Sequence, residues 1–174
     1  MLGRVPARTG GVRLIRLEQE TPEDRWQVEA LYDLCFAPGR EALSSYRFRD
    51  GVQPVRALCL VARDDTGGLA SVIRYWPVQV AGQAVLLLGP VAVHPTRQGE
   101  GLGALLMMES LSRATTLGWA RVMLVGDEPY YGRFGFHRLG DVVMPPPTNP
   151  ARVLGKALQP GAWDGVAGPV EKAG

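Results

Sequence analysis

The spacing of apolar residues along the chain predicts a succession of strands and helices. Residues 12–17 (VRLIRL) alternate between apolar and polar positions and predict a first strand. The segment TPEDRWQVEALYDLCF predicts a helix, because Thr21 is a favourable N-cap, Pro22 is a favourable first residue and Asp24 lies three residues after the cap. The apolar positions that we expect on its buried face are Trp26, Val28, Leu31, Leu34 and Cys35.

The next part of the chain predicts a short helix followed by three strands. We expect the helix over residues 37–51, with Gly39 and Gly51 as its boundaries. Turn-forming residues at 64–68 and 81–83 divide three strand-like runs. Consecutive strands joined by tight turns pair antiparallel, so these runs predict a meander. The runs cover residues 57–64, 69–80 and 84–93.

The segment GLGALLMMESLSRATTLG, residues 101–118, predicts a four-turn amphipathic helix that ends at Gly118. RVMLVG, residues 121–126, predicts a buried strand, and the order strand, helix, strand with short links implies a parallel right-handed crossover. We therefore expect an α/β (α+β) fold with a central mixed sheet that is mostly antiparallel, contains one parallel β-α-β crossover and has helices on both faces. The stripe that we expect to be buried on the helix is Leu102, Leu105, Met108, Leu111 and Ala114, widened by Leu106 and Leu117.

The remaining elements have weaker patterns. A helical turn is expected over residues 128–134, a strand from 135 to 143, and edge strands in the C-terminal piece, residues 150–174. A chain of 174 residues with 46% hydrophobic residues can bury one continuous core. We expect a single domain over residues 1–174, with a core of about 12–143 and a C-terminal piece that completes the sheet.

Charge and cysteine content exclude several classes of protein. Charged residues make up 21% of the chain and leave a formal net charge of +2, so we expect no nucleic-acid partner. The N-terminal residues have no apolar signal core and no run reaches the ~18 apolar residues of a membrane span, which predicts a cytoplasmic protein without a membrane partner. Cys35 and Cys59 lack metal-ligand spacing, which predicts reduced thiols and no metal site.

Three glycines at alternate positions, Gly99, Gly101 and Gly103, stand between a predicted strand and the long predicted helix. Unpaired N–H groups at a helix start bind anions, and glycine permits left-handed backbone conformations and close approach to the main chain. The segment from Gln98 to Ala104 therefore predicts a diphosphate site.

Pro90 lies inside an apolar strand and cannot donate a ladder hydrogen bond, so the neighbouring strand is expected to be missing or displaced there. The backbone of Val91–Val93 would then be free to bind an extended ligand that carries its own amides. Coenzyme A carries an amide-bearing arm and a diphosphate in this order.

Two segments resemble conserved motifs of the GNAT N-acetyltransferase superfamily. VAVHPTRQGEGLGALLM resembles its acetyl-CoA-binding motif, whose core Q/R-x-x-G-x-G/A is met by Gln98, Gly101 and Gly103. VMLVGDEPYYGRFGFHRLG resembles the next conserved segment, in which Tyr131 precedes the pair Gly135 and Phe136. Together with LGPVAVHP and FAPGREALSSYRFRDG, these segments are similar to a bacterial subgroup of GNAT acetyltransferases.

The resemblance implies an N-acetyltransferase that uses acetyl-CoA as co-substrate and no metal. A primary amine, either a small molecule or a peptide, would attack the thioester directly in a ternary complex, and a homodimer is compatible with the sequence. Tyr131 would be the general acid. The implied coenzyme-binding residues are Val91, Ala92 and Val93 for the pantetheine arm, and Gln98, Gly99, Glu100, Gly101, Leu102, Gly103 and Ala104 for the pyrophosphate.

Several roles stay open. Tyr130 could replace Tyr131 as the acid, and the general base could be Asp127, Glu128, His94 or water. Many superfamily members place a coenzyme-contacting asparagine before this tyrosine, whereas this chain has the residues Gly126, Asp127, Glu128 and Pro129. The acceptor would bind near Phe36, Arg40, Tyr46 and Arg49, which either line a pocket or cover the surface.

Two other functions compete with acetyl transfer. The fold could bind acetyl-CoA without turnover, as a sensor or scaffold. Gly99, Gly101 and Ala104 also satisfy the dinucleotide-binding pattern G-x-G-x-x-A, with Asp127 further along the chain, which would suit an NAD(P)-dependent oxidoreductase. Residues 94–98 separate the glycines from the strand end, and a strand meander precedes them, which disfavours that alternative.

Overall fold

The computed structural model describes residues 4–7, 13–36 and 39–173. These residues form ten strands and three α-helices, joined by short 3₁₀ turns. The strands are β1 (Arg4–Ala7), β2 (Arg13–Gln19), β3 (Leu60–Arg63), β4 (Leu69–Val80), β5 (Gln83–Val93), β6 (Arg121–Val125), β7 (His137–Arg138), β8 (Val142–Val143), β9 (Val153–Ala157) and β10 (Gly168–Lys172). The helices are α1 (Arg25–Cys35), α2 (Leu102–Thr116) and α3 (Glu128–Tyr131).

The sheet is mixed, as the sequence predicts. Strands β1 to β5 pair antiparallel in chain order, β5 pairs parallel with β6, and β6 continues antiparallel through β9 to β7. A second parallel pairing, between β8 and β10, was not predicted. This topology contradicts the dinucleotide-binding alternative, because that fold requires a mainly parallel sheet with successive β-α-β units.

The helices cover both faces of the sheet. Successive residues of a strand point to opposite faces, and β4 shows this directly: Val72 packs in the cluster under α1, whereas Ile73 packs in the cluster under α2. The predicted meander is confirmed as β3, β4 and β5. The first predicted strand is confirmed as β2, although residue 12 lies outside the described part of the chain.

The predicted buried face of α1 is partly wrong. Its buried residues are Val28, Leu31 and Tyr32, whereas Trp26 and Leu34 are 80% and 57% exposed. An α-helix turns by about 100° per residue, so Trp26 lies on the side opposite Val28. The first turn, Pro22–Asp24, is a 3₁₀ turn in which the Asp24 carboxylate accepts a 2.8 Å hydrogen bond from the Thr21 N–H.

The predicted stripe of α2 contains two errors. Met107 is buried and Met108 is 65% exposed, and Leu117 is 56% exposed. A stripe that steps only by three drifts around the helix by about 60° at each step, so alternating steps of three and four are needed to stay on one face. The buried residues are Leu102, Gly103, Leu106, Met107, Ser110, Leu111 and Ala114.

The remaining corrections concern short elements. The expected helix over 37–51 forms two 3₁₀ turns, Arg40–Ala42 and Ser44–Phe48, and its residues 37 and 38 lie outside the described residues. The expected strand over 135–143 is divided into β7 and β8. The expected edge strand β9 lies between β6 and β7, because both of its sides are paired.

Within the described ranges, the helices include none that is long and apolar enough to cross a membrane.

Candidate active site

The sheet opens next to Pro90. Strands β5 and β6 pair at Leu86 with Val122 and at Leu87 with Met123. On its other edge β6 pairs with β9 over its whole length, and the N–H of Gly126 continues this pairing with a 2.8 Å hydrogen bond to the carbonyl of Arg152. In the part of the chain that the structure describes, β5 therefore has no strand partner on this side beyond Pro90.

The exposed strand edge beyond Pro90 is held from its other side. The Ser71 hydroxyl donates to the Ala92 carbonyl over 2.8 Å, and the Cys35 thiol lies 3.3 Å from the Val93 carbonyl. The side chain of Ala92 is buried under α1, whereas those of Val91 and Val93 line the open groove. Of the three residues expected to bind a pantetheine arm, Ala92 could therefore contribute only its backbone.

Helix α2 begins beside this opening with unpaired amides. Gly99 and Gly101 have φ values of +86° and +77°, the left-handed region that favours glycine. Gly103 has a different role, since a Cβ there would lie 3.4 Å from a methyl carbon of Val93. Across residues 98–104, no N–H group has a hydrogen-bond partner within the described chain. These amides and the helix dipole can bind an anion.

A cleft of about 570 Å³ lies in front of these amides. Glu100 is the one predicted pyrophosphate residue that does not line it, because its carboxylate lies 2.5 Å from Nε of Arg97. The other predicted residues that line this cleft are Gln98, Gly99, Gly101, Leu102, Gly103 and Ala104.

Arg97 is a cleft residue that the sequence reasoning missed. Its Nη1 lies 3.2 Å from a carboxylate oxygen of Asp64, whereas its Nη2 is buried and has no partner within the described ranges. A hydrogen bond from the Thr66 hydroxyl, with a contribution from Arg97, lowers the pKa of Asp64. The sequence feature that could have identified Arg97 is its position directly before Gln98, the first residue of the glycine motif.

A second cleft of about 400 Å³ occupies the gap between β5 and β6. It shares Val91, Tyr130 and Tyr131 with the first cleft, so the two form one continuous groove from the α2 amides to the sheet opening. The four residues considered for the acceptor, namely Phe36, Arg40, Tyr46 and Arg49, all line this second cleft.

Tyr131 lies where the two clefts meet. Its N–H bonds to the Asp127 carbonyl at 3.0 Å, and its ring packs edge-on against Phe136 at a centroid distance of 6.2 Å. A Cβ on Gly126 would lie 2.4 Å from the Tyr131 ring, so this ring position requires glycine at 126. Burial, with a smaller effect of Tyr130, raises the pKa of Tyr131 above the ordinary value of a tyrosine. The hydroxyl group has no hydrogen-bond partner in the residues described.

Tyr130 differs from its neighbour in exposure and direction. It is 39% exposed, and the Arg133 guanidinium lies 4.5 Å from its ring centroid. Its hydroxyl oxygen would be 3.6 Å from a Cβ on Gly103, which places it beside the start of α2. Tyr131 is therefore the more buried of the two hydroxyl-bearing candidates.

The three candidate bases have different environments. Asp127 lines the second cleft. The Glu128 carboxylate accepts a 2.8 Å bond from the Arg138 N–H, and Nδ1 of His94 accepts from the Thr96 N–H at 3.2 Å. Neither Glu128 nor His94 lines either cleft.

Metal-binding side chains do not cluster within the described ranges: no group of three or more histidine, cysteine, aspartate or glutamate residues is placed to hold an ion.

Comparison with known proteins gives a consistent result. The sequence model of the Acetyltransferase (GNAT) family matches residues 13–140. The chain is 34% identical over 125 residues to the uncharacterised N-acetyltransferase YhbS of Escherichia coli (strain K12). The matched region covers 71% of this chain and 72% of that protein.

Two solved structures are similar over most of both chains. The crystal structure of Escherichia coli YhbS in complex with CoA has a TM-score of 0.78 and 31% identity, and the match covers 95% of this chain and 93% of that one. A GNAT family acetyltransferase from Brucella melitensis in complex with acetyl-CoA has a TM-score of 0.68 and 29% identity, with 91% and 96% covered. Both relatives were crystallised with ligands of the type predicted from the glycine motif.

Proposed function

The chain belongs to the GNAT acetyltransferase family, and on that basis we propose that it transfers an acetyl group from acetyl-CoA to a primary amine by direct attack in a ternary complex. The observation that carries the proposal is the continuous groove described above. At one end it has the unpaired amides of residues 98–104, and at the other the strand edge beyond Pro90.

The groove matches coenzyme A in the order of its parts. The amides at the start of α2 suit the diphosphate, and the buried Nη2 of Arg97 offers a further N–H to an anion there. The open edge at Val91 and Val93 suits the amides of the pantetheine arm, which can pair with it as a strand would. The thioester end would then lie in the second cleft, beside Tyr131.

Tyr131 would donate a proton to the departing thiolate. The raised pKa of its hydroxyl keeps it protonated at neutral pH. A thiolate, whose conjugate acid has a pKa of ~8.5, is a weaker base than tyrosinate, so the hydroxyl would stabilise the thiolate by a hydrogen bond as the C–S bond breaks. The proton that the amine releases would replace any proton that the tyrosine gives to the thiolate. The hydroxyl is free to make this contact, because no other described group binds it.

The amine must lose its proton before it attacks. An alkylammonium of pKa ~10.4 requires about 5 kcal/mol for deprotonation at pH 7. Asp127 is the candidate base that lines the cleft, and it would accept the proton either directly or through water. The carboxylate of Glu128 instead accepts a hydrogen bond from the Arg138 N–H in β7. A free N–H of the strand edge near Val91 would stabilise the oxyanion that forms on attack.

The test compares wild type with Tyr131→Phe, using Tyr130→Phe as the matched control. Each protein is mixed with acetyl-CoA and a panel of primary amines, and thiol release and acetylated products are measured. We expect Tyr131→Phe to lose about 10²- to 10⁴-fold in kcat while its Kd for CoA changes little. CoA binding without acetylation of any amine class would instead support a sensor or scaffold.

A further inference from the structure

Arg49 is a largely buried arginine with no carboxylate partner among the described residues. Four other arginines have side chains that are only 9–14% exposed, and each of them forms ion pairs. These pairs join Arg40 to Glu29 and Asp33, Arg63 to Glu18 and Asp24, Arg74 to Glu20 and Glu29, and Arg97 to Asp64 and Glu100. A buried cation is unfavourable without a partner, so the exception at Arg49 points to a partner outside the chain.

The surroundings of Arg49 stabilise its charge but leave N–H groups available. Its Cζ lies 4.0 Å from the ring centroid of Tyr46 and 5.6 Å from that of Trp76. Aromatic faces attract a guanidinium without accepting its in-plane hydrogen bonds. The Nε atom is buried and has no partner in the described chain. Burial lowers the pKa of Arg49, yet a guanidinium stays protonated at neutral pH.

Arg49 also occupies a position that connects two clefts. Arg49 lines both the 400 Å³ cleft that contains Tyr131 and an adjoining cleft of about 640 Å³. Tyr46 and Pro90 also line both clefts. The charged residues that line the cleft with Tyr131 are Arg40, Arg49, Arg152 and Asp127. Arg40 is already paired with carboxylates outside this cleft. The remaining charged side chains are two arginines and one carboxylate, so the lining of the cleft has a net positive charge.

We propose that Arg49 binds a carboxylate of the acceptor, so that the substrate is an amine that also carries a carboxylate. This inference rests on the acetyl transfer proposed above and specifies its substrate class. With one face of the guanidinium covered by Tyr46, the N–H edge is left for a planar partner, and a carboxylate can accept two parallel hydrogen bonds from it. The carboxylate at Arg49 would orient the amine within the cleft that contains Asp127 and Tyr131.

The first experiment measures kcat/KM for matched acceptors. Free amino acids are compared with their amides and with their decarboxylated amines, and β-alanine is compared with O-phosphoethanolamine. We expect the carboxylate member of each set to react about 10- to 100-fold better, as a hydrogen-bonded charge pair implies. Equal rates within the sets, or a preference for the phosphate, would overturn the proposal.

Variants connect this preference to Arg49. In Arg49→Met, kcat/KM for the carboxylate acceptors should fall about 10- to 100-fold, while that for the decarboxylated amines should stay within about threefold. Arg49→Lys should recover part of the loss, because it keeps the charge but not the paired N–H groups. Arg138→Met removes an exposed arginine elsewhere and should keep the full preference. An unchanged preference in Arg49→Met would contradict the proposal.

A binding measurement separates this site from the chemistry and from misfolding. N-acetyl amino acids are titrated by calorimetry, with CoA present, into wild type and Arg49→Met, and CoA affinity shows that each variant is folded. We expect binding to wild type and at least tenfold weaker binding to the variant. Equal binding rejects a carboxylate site at Arg49 even if amines are acetylated. Arg49-dependent binding without acetylation of any amine would reject the acetyl transfer and retain the site.

Discussion

Replacing Gly126 by alanine tests whether the position of the Tyr131 ring controls acetyl transfer. A Cβ on Gly126 would lie 2.4 Å from Cε2 and 2.9 Å from Cδ2 of Tyr131, and 2.9 Å from Cδ1 of Leu124. Carbon atoms in contact are separated by about 3.5 Å or more, so the ring must move by roughly 1 Å. A displacement of this size can reduce a rate by about 10²-fold, and we expect a similar fall in kcat.

The same substitution should lower stability only moderately. Overpacking of this kind costs about 1–3 kcal/mol, and each kcal/mol lowers the Tm of a domain of this size by about 2–4 °C. Gly140→Ala is the matched control, because a Cβ there meets no atom of the described residues within 4 Å. The assay measures kcat at saturating acetyl-CoA, the Kd for CoA by calorimetry and the Tm of each variant.

A double-mutant cycle decides whether the effect acts through the tyrosine hydroxyl. If Gly126→Ala acts by displacing that hydroxyl, it should reduce kcat by less than about threefold when Tyr131→Phe is already present. The argument that the ring position sets the rate would be refuted if the fold-loss in kcat of the double variant equalled the product of the two single-variant losses. It would also be refuted if Gly126→Ala had the kcat of wild type.

Three further predictions concern the backbone, the pH profile and the core. Gly101→Ala should raise the Kd for CoA at least tenfold, whereas Gly82→Ala, with a similar φ of +74° far from the groove, should lose comparable stability and leave CoA titrations unchanged. Because burial raises the pKa of Tyr131, the acid stays protonated at neutral and mildly alkaline pH, so kcat/KM should rise with pH there as the amine deprotonates; a descending limb near pH 8 would exclude Tyr131 as the acid. The buried hydroxyls of Tyr75 and Ser110 are 2.7 Å apart, and the Ser110 hydroxyl also lies 2.6 Å from the Leu106 carbonyl. Because the Ser110 hydroxyl donates to the Leu106 carbonyl, the Tyr75 hydroxyl is expected to donate to Ser110. Ser110→Ala leaves the buried Tyr75 hydroxyl without an acceptor and should lower the free energy of unfolding in urea by about 1–3 kcal/mol, more than Tyr75→Phe does. A larger loss in Tyr75→Phe would contradict donation from Tyr75 to Ser110.

Features set by local backbone constraints could be predicted from the sequence. Pro90 indicated the opening of the sheet, because a missing N–H acts at its own position in the strand. The alternating glycines indicated the start of α2 and its unpaired amides, because left-handed conformations are a property of single residues. Both features depend on few neighbours, which explains why their positions could be predicted closely.

Features that depend on distant residues could not be predicted in the same way. Arg97 meets Asp64 from 33 positions away, and nothing near the glycine motif signals that partner. Strand β9 lies between β6 and β7, although only edge strands were expected in the C-terminal piece. On α1 the hydrophobic pattern gave the right spacing but not the side that meets the sheet, so Trp26 was misassigned while Val28 was correct.

The two halves of the groove use different kinds of groups, and this difference has a consequence for specificity. Coenzyme binding is proposed to rest mainly on main-chain amides at residues 98–104 and on the β5 edge, so most side-chain substitutions there would leave the donors in place. Acceptor binding would rest on side chains from the two 3₁₀ turns, Arg40–Ala42 and Ser44–Phe48, and on Arg49 directly after them. Since 3₁₀ turns have few internal hydrogen bonds, side-chain contacts such as that between Arg49 and Tyr46 must fix this wall. Substitutions in this wall should therefore change which amine is acetylated while the affinity for coenzyme A stays the same.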